Sequence, residues 1–374
     1  MVRGGAYPEY LPSGHLIYTN KGTLFAIAFD VKRLETRGTA VPMLEDVAYH
    51  PVTGAADLGF AQTGALVYRA GAPQLWTIQW IDGTGKREPL LAKTGVYPSL
   101  QISPDGKRLA FIEARQGNAG DVWVYDLQRD ALTRLAFSGN YVFPVWSPDG
   151  RYVVFEDTEK GIYWTRADGA GQPQPLTQSK NFQIPRSFTP DGKRLAYNEQ
   201  AAKYQLWTLP LETQDGQLKA GKPEQFLKSQ FDDRDPTFSP DGNWLVYVSN
   251  ASGKNEVYVR AFPPPASGQA GQWQISNNGT MARPVWSRNG RELIYLQGNQ
   301  LMAVSYSVNG DSFVPEKPRV WIDKLGEAFW DVAPDGKRVA VVTPVASAEA
   351  PKPDHEVTIL FNFFDELRRR VPVK

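Results

Sequence analysis

One short motif, a Pro-Asp-Gly turn between two β-rich runs, constrains this chain more than any other feature. Its best copy is WSPDGRYVVF at residues 146–155, and close copies begin at Ile102, Phe188 and Phe238. Pro presets φ near about −65° at the second turn position, Asp bonds the backbone through its carboxylate, and Gly accepts a conformation that other residues avoid. Each copy therefore predicts a turn that joins two antiparallel strands.

The turn glycine recurs along the whole sequence at intervals of 50, 42, 44, 42, 50, 48 and 46 residues. Such a period, with several strand-like runs in each interval, is typical of propeller blades of four strands. We therefore expect an all-β chain that forms a single β-propeller domain over residues 1–374, with four-stranded antiparallel blades. The eight anchor glycines are Gly14, Gly64, Gly106, Gly150, Gly192, Gly242, Gly290 and Gly336.

Eight anchors favour eight blades, but the first two repeats and the last are degenerate. A ring of seven or six blades with extra strands is the alternative. No fourth strand is visible in the last repeat, so residues 1–3 are expected to pair onto it and remove an exposed edge. Residues 344–356, rich in Ala and Pro, are predicted to form a mobile loop, and residues 364–374 a C-terminal tail with one or two helical turns.

The charge pattern argues against several classes of partner. The chain has 41 Lys and Arg against 40 Asp and Glu, a net charge of +1, and no basic block. Neither nucleic acid nor a membrane surface is therefore expected as a partner, and no apolar run approaches the roughly 18 residues of a membrane span. The absence of cysteine excludes disulfides and Cys-ligated metals. Three scattered histidines predict neither a metal site nor a cofactor, and a monomer is expected.

The WSPDG, FSPDG and ISPDG turns, each followed by a strand such as KRLAF, resemble the TolB-type, WD40-like Pro-Asp repeats of β-propellers. Four segments are also similar to the propeller that follows the kinase domain in many bacterial, notably acidobacterial, serine/threonine protein kinases. They are residues 10–29, 255–262, 272–276 and 362–372. This second resemblance implies an extracytoplasmic or periplasmic sensory module. The sequence shows no signal peptide, so a cytoplasmic location stays open as well.

The motifs of known catalytic partners of such propellers do not occur in this sequence. There is no Gly-rich nucleotide loop, no His-Arg-Asp and no Asp-Phe-Gly, as a kinase would require. Prolyl-oligopeptidase-type enzymes also combine a similar propeller with a hydrolase domain, but no Gly-x-Ser-x-Gly occurs. The Asp of each Pro-Asp-Gly turn recurs too regularly for a catalytic group and is interpreted as a turn cap.

Functional residues are expected where the repeats differ, about seven residues before each anchor glycine. In a propeller this position lies near the channel mouth, where aromatic and charged side chains can meet a ligand. The alternative for each residue is ordinary packing between blades or pairing with a neighbouring charge. The candidate ligand-binding residues are Tyr7, Asp57, Tyr97, Tyr141, Phe143, Asp233, Asp235, Arg283 and Phe329.

Two functions fit these candidates. The first is a non-catalytic binding module, a sensor or scaffold in a larger bacterial signalling protein, that takes a protein or a small polar ligand such as a sugar or peptide. The second is an enzyme, a glycosidase, lyase or lactonase, with its site at the channel mouth. Asp57 and Asp235 would then be the candidate carboxylate pair, and a short separation between them would favour this reading. The segment 232–235, with Arg234 in its middle, lacks the spacing of a calcium loop.

Overall fold

Contacts between residues divide the chain into two compact units in the computed structural model. Unit 1 comprises Met1–Trp76, Arg115–Asn118 and Pro344–Lys374, and unit 2 comprises Thr77–Ala114 and Ala119–Thr343. The single domain expected over residues 1–374 stays a prediction. The residues that the structure describes are 5–20, 22–49, 56–71, 75–116, 119–265, 271–280, 282–288, 290–325, 329–345 and 356–373.

Strands make up most of the regular structure, as the repeats predict. In chain order the first half are β1 Ala6–Leu11, β2 His15–Asn20, β3 Thr23–Asp30, β4 Glu35–Leu44, β5 Leu58–Phe60, β6 Leu66–Tyr68, β7 Trp76–Asp82, β8 Arg87–Gly95, β9 Ser99–Ile102, β10 Arg108–Gln116, β11 Ala119–Asp126, β12 Ala131–Trp146, β13 Tyr152–Asp157, β14 Gly161–Arg166, β15 Gln174–Pro175 and β16 Phe182–Phe188.

The second half of the chain continues the pattern and ends in a helix. Its elements are β17 Arg194–Gln200, β18 Tyr204–Gln214, β19 Gln217–Ala220, β20 Glu224–Gln225, β21 Asp233–Phe238, β22 Trp244–Ser249, β23 Glu256–Ala261, β24 Gln272–Gln274, β25 Ala282–Trp286, β26 Glu292–Gln297, β27 Gln300–Asn309, β28 Ser312–Pro315, β29 Arg319–Ile322, β30 Trp330–Val332, β31 Arg338–Pro344, β32 Thr358–Leu360 and α1 Phe363–Arg370.

Unit 1 contains two small sheets and the C-terminal helix. The sheets have the strand orders β1-β2-β3-β4 and β32-β6-β5. The helical turns expected in the tail appear as α1, which buries Phe363, Phe364 and Leu367 in a core shared with both sheets. Acidic residues in its first turn and arginines in its last complement the helix dipole. Residues 1–3 and most of 344–356, on which the closing strand and the mobile loop were expected, lie outside the described residues.

Unit 2 contains six antiparallel sheets with four strands along their main path. They are β9-β10-β11-β12, β12-β13-β14-β15, β16-β17-β18 with β19 and β20, β21-β22-β23-β24, β25-β26-β27 with β28 and β29, and β30-β31-β7-β8. The long strand β12 belongs to two sheets: residues 131–136 pair with β11, and residues 141–146 pair with β13. The outer strand of one sheet thus continues directly into the inner strand of the next, as in propeller blades.

The inner strands of the six sheets (β9, residues 141–146 of β12, β16, β21, β25 and β30) contact one another in a closed order. The contacts are Trp146 N–H to Gln101 Oε1 (2.6 Å), the rings of Phe143 and Phe182 (6.4 Å), Phe238 N–H to Ser187 Oγ (2.9 Å), Trp286 Nε1 to Thr237 O (2.9 Å), Arg283 to Asp331 (3.2 Å) and Ile102 N–H to Asp331 Oδ2 (2.8 Å). Unit 2 is therefore a β-propeller, whose described residues form these six sheets.

The total number of blades stays a prediction, and the six sheets of unit 2 fit the six-bladed alternative to the expected eight. In the sheet that contains β30 and β31, β7 pairs with β31 and β8 pairs with β7. The open edge of β31 is thereby covered. Apolar clusters lie between neighbouring blades, as in the cluster that joins Val154 and Trp164 of one blade to Leu195 and Tyr197 of the next.

The Pro-Asp-Gly turn forms as its chemistry predicts. At residues 147–150, Gly150 N–H donates to Ser147 O (2.9 Å), and Asp149 Oδ1 accepts bonds from Ser147 Oγ (2.6 Å) and Arg151 N–H (3.1 Å). All eight anchor glycines, in both units, have a positive φ between 67° and 91°. That conformation favours glycine because it lacks a Cβ.

Candidate functional site

The inner strands of the propeller carry bulges at the repeat position where site residues are expected. The strand register shifts between Val142 and Val145, between Arg234 and Thr237, and similarly in β16 and β25. Phe143 and Asp235, which occupy this position, have φ values of 52° and 58°. A bulge re-aims side chains, and a left-handed φ at a non-glycine residue is a strain often found at functional sites.

Two cavities lie along the channel that the six inner strands enclose. The mouth cavity, about 210 Å³, is lined by Pro98, Ser99, Leu100, Phe143, Pro144, Val145, Pro185, Arg186, Asp235, Arg283, Phe329 and Trp330. The turn-side cavity, about 300 Å³, is lined by the prolines of four Pro-Asp-Gly turns (Pro104, Pro148, Pro190 and Pro240) and by residues that include Gln101, Trp146, Thr237, Trp286, Arg288 and Asp331. Val145, Arg186 and Arg283 line both cavities, so the two arginines stand where the cavities meet.

Arg186 is the most enclosed cation of the channel, with 13% of its side chain exposed. Its Nη2 lies 2.6 Å from Asp235 Oδ1, and its guanidinium lies 4.7 Å from the ring centroid of Phe143. Its Nε is buried and has no hydrogen-bond partner among the described residues. Burial lowers the pKa of the Arg186 guanidinium, the Asp235 carboxylate raises it, and the nearby Arg283 lowers it again. The two arginines therefore repel each other.

A second ion pair lies between the fifth and sixth blades. Arg283 Nη2 donates to Asp331 Oδ1 at 3.2 Å, and Asp331 Oδ2 accepts the Ile102 N–H. Burial raises the pKa of the Asp331 carboxyl, although both Arg283 and Arg288 act to lower it. Arg288 replaces the Pro of the Pro-Asp-Gly turn in its repeat and donates to Ile102 O at 3.3 Å. Burial lowers the pKa of the Arg288 guanidinium.

Glu156 lies behind Arg186 and is fully buried. Its Oε1 accepts the Gln183 N–H at 2.6 Å, and its Oε2 has no partner among the described residues. Burial raises the pKa of Glu156 to about 9, with Arg186 opposing that rise. The lining of the channel therefore contains two ion pairs, Arg186 with Asp235 and Arg283 with Asp331.

The structure brings four of the nine candidate residues together. Phe143, Asp235, Arg283 and Phe329 all line the mouth cavity. Asp235 pairs with Arg186 rather than with Arg234 beside it in the sequence. No group of three or more His, Asp or Glu side chains that could hold a metal ion occurs in the part of the chain that the structure describes.

The other five candidates do not line either of the two cavities. Tyr97 and Tyr141 are buried and pack edge-on against Phe111 and Phe155, with ring centroids 5.3 and 5.0 Å apart. Asp233 is also buried, and burial raises the pKa of its carboxyl. Tyr7 and Asp57 belong to unit 1, where Tyr7 is exposed and Asp57 pairs with Arg69. Core packing accounts for both tyrosines, because aromatic residues also serve as core residues in blades.

Sequence reasoning missed Arg186, Glu156, Asp331 and Arg288. Arg186 directly follows Pro185, the residue seven before its anchor glycine, and the bulge puts this next side chain into the channel. Arg288 could have been found, because it breaks the Pro-Asp-Gly pattern of its repeat. Glu156 and Asp331 sit within apolar strands, where a lone carboxylate gives no spacing signal of its own.

Comparison with known proteins agrees with this architecture. A family model for the TolB β-propeller domain (PD40) matches residues 65–220. A solved structure assigned to TolB of Agrobacterium tumefaciens superposes with a TM-score of 0.54 at 17% identity, over 73% of this chain and 99% of that one. The chain carries a TolB-like β-propeller. The structural likeness establishes the fold of the TolB-like propeller, and its function has to be argued from its own residues.

Two curated relatives match shorter stretches. The "uncharacterized peptidase YuxL" of Bacillus subtilis is 29% identical over 171 residues, which is 42% of this chain and 23% of that protein. The "Tol-Pal system protein TolB" of Francisella tularensis is 26% identical over 187 residues, or 49% of this chain and 41% of that protein. These alignments thus span less than half the length of either relative. No helix among the described residues has the length and apolar character needed to cross a bilayer.

Proposed function

We propose that the TolB-like propeller is a non-catalytic binding module whose channel takes a small polar ligand or the end of a peptide. The observation that carries this proposal is the placement of Arg186 and Arg283 at the junction of two cavities, in a mouth cavity that Asp235, Phe143 and Phe329 also line. A concave site with apolar walls and a few fixed polar groups is the usual form of a ligand site.

The wider setting is also part of the proposal. We infer a sensor or scaffold role within a larger bacterial signalling protein, with a protein partner and an extracytoplasmic location. The support is the resemblance to kinase-associated propellers in four segments of the sequence, together with a relative named as a Tol-Pal system protein. The propeller itself is proposed to act as a monomer that inserts no segment into the membrane.

An enzymatic role is the second candidate, because one relative is named as a peptidase. The candidate carboxylates do not favour it: Asp235 pairs with Arg186, and Asp57 pairs with Arg69. Among the described residues that line the two cavities there is no histidine to serve as a general base. Hydroxyl groups such as that of Ser99 therefore have no partner that would activate them as nucleophiles.

Ligand screening by thermal unfolding tests the binding proposal. The wild-type chain is screened against sugars, amino acids, organic acids and tripeptides, and a ligand that binds the folded state raises Tm. The rim variant Phe143→Gly/Phe329→Ala should lose the response. Phe143→Gly is chosen because its positive φ suits glycine. The matched control is Phe137→Ala, which removes an exposed phenyl ring outside the cavities.

The outcomes separate the candidate functions. A Tm rise that the rim variant loses and Phe137→Ala keeps supports a binding site at the channel mouth. A rise unaffected by the rim variant, or no rise with any compound, argues against it. Turnover of chromogenic glycosides, lactones or peptides that disappears in Asp235→Asn would instead favour the enzyme.

A further inference from the structure

We propose that the ligand of the channel is an organic monocarboxylate, held between Arg186 and Arg283 with its apolar part against the aromatic side chains of the mouth cavity. This inference rests on the proposed function and specifies the chemistry of the same site. It concerns a group of atoms, a carboxylate attached to an apolar body, which a free organic acid and the C-terminus of a peptide both supply.

Arg186 and Arg283 stand close together at the junction of the two cavities. Both side chains line the mouth cavity and the turn-side cavity, with 13% and 17% of their surface exposed. Their like charges are close enough to repel each other in a poorly hydrated space. An anion between them would relieve this repulsion, whereas a cation would increase it.

The hydrogen-bonding capacity of Arg186 also favours a carboxylate. A guanidinium has five N–H donors, and a carboxylate can accept two of them in parallel. Arg186 contacts a single carboxylate oxygen, that of Asp235, while its buried Nε has no partner among the described residues. An incoming carboxylate can therefore bind without displacing Asp235.

The two arginines also set the number of carboxylates in the ligand. A carboxylate has two oxygens, and each can accept a hydrogen bond from a guanidinium. One carboxylate can therefore contact both Arg186 and Arg283, which line the same two cavities. Phe143, Phe329 and Trp330 line the mouth cavity, whose volume of about 210 Å³ suits a compact apolar group attached to the acid.

Binding of matched acids and amides to the full chain tests this assignment. The probes are 3-phenylpropionate and N-acetyl-Ala-Ala-Phe with a free carboxylate, each compared with its neutral primary amide. Trp146, Trp286 and Trp330 line the cavities, so quenching or enhancement of tryptophan fluorescence reports binding. Each acid should bind roughly 10- to 100-fold more tightly than its amide, the usual range for a charge-assisted hydrogen bond. The acid that binds more tightly identifies the source, small molecule or peptide terminus.

Variants locate the contact. Arg186→Gln alone would leave Asp235 without its partner, so the decisive variant is Arg186→Gln/Asp235→Asn, which removes both charges of the pair. Although Gln is shorter than Arg, both substituted side chains stay polar, so the loss of charge should weaken acid binding by roughly 10- to 100-fold and leave amide binding unchanged. The control Arg129→Gln removes an exposed arginine outside the cavities and should change neither.

Three results would overturn the inference: equal affinity for acid and amide, acid binding that survives the double variant, or no acid binding at all. If acid and amide bind equally and the rim variant abolishes the binding of both, the proposed binding site stands, but its ligand needs no carboxylate. Failure of every compound in the thermal screen as well would remove both proposals together.

Discussion

Glu156 offers a sharp test of how the channel is built, because a fully buried carboxyl should make stability depend on pH in a defined direction. Its ordinary pKa of 4.5 is raised to about 9 by burial. Between these two values the folded state keeps a proton that the unfolded state has lost. Stability should therefore fall as pH rises through this window, and Glu156→Gln, which cannot ionise, should escape that fall.

The size of this loss of stability follows from the change in the pKa of Glu156. Each pH unit above 4.5 costs the wild type about 1.4 kcal/mol of unfolding free energy relative to Glu156→Gln. At pH 7 the accumulated difference is about 3 kcal/mol, and it continues to grow towards pH 9. Because Gln keeps an oxygen to accept the Gln183 N–H, the substitution retains the hydrogen bond seen at 2.6 Å.

Urea unfolding of both proteins from pH 5 to pH 8.5 measures this difference. Ten of the eleven tryptophans lie between residues 77 and 343, so their fluorescence reports mainly on unit 2. Glu212→Gln, an exposed surface substitution, controls for loss of a negative charge. If the difference in unfolding free energy between wild type and Glu156→Gln stays constant over this pH range, Glu156 titrates alike in the folded and unfolded states. That result would contradict the raised pKa of Glu156.

Three further substitutions test the architecture. Asp149→Ala removes two hydrogen bonds of a Pro-Asp-Gly turn and should cost about 1 kcal/mol in urea unfolding; no loss would contradict its role as a turn cap. Gly150→Ala should cost at least about 1 kcal/mol, and more than Gly150→Asn, because φ is +67° there; equal costs would count against backbone strain. Leu367→Ala should destabilise the core of unit 1 by roughly 2–5 kcal/mol, and hydrogen exchange should rise in β2 and β3. An equal rise in β22 and β26 would show that the two units unfold together.

The local structure of the repeats could be predicted from the sequence because each turn is determined by its own four residues. Gly150 and its seven counterparts all have the left-handed φ that Pro-Asp-Gly chemistry requires. The strands that follow the turns also appear where β-branched and aromatic residues cluster. These features depend on neighbours in sequence, which is why they were read correctly even in the degenerate repeats around Gly14 and Gly64.

The number of blades could not be predicted in the same way. Turns in unit 1 and unit 2 look alike in sequence, and what distinguishes them is the long-range pairing of β7 with β31. More than two hundred residues separate these strands, and alternation of apolar and polar residues does not specify a partner at that distance. The first two repeats were therefore counted as blades of the ring, although contacts assign them to unit 1.

Part of the candidate site was accessible from the sequence. Counting seven residues back from each glycine found Phe143, Asp235 and Arg283, which line the mouth cavity. The same count selected Pro185 instead of Arg186, since a bulge changes which side chain enters the channel. Tyr97 is buried and does not line the mouth cavity. Whether an aromatic side chain is buried or lines a cavity depends on three-dimensional packing, which the repeat pattern does not specify.

A crystal structure of the full chain with 3-phenylpropionate bound would locate the carboxylate directly. We expect density for the acid in the mouth cavity, with its carboxylate oxygens about 3 Å from the guanidinium nitrogens of Arg186 and Arg283 and its ring beside Phe143 and Phe329. Density for the acid elsewhere on the chain, or an empty channel at a saturating concentration, would show that the two arginines do not form the acid site.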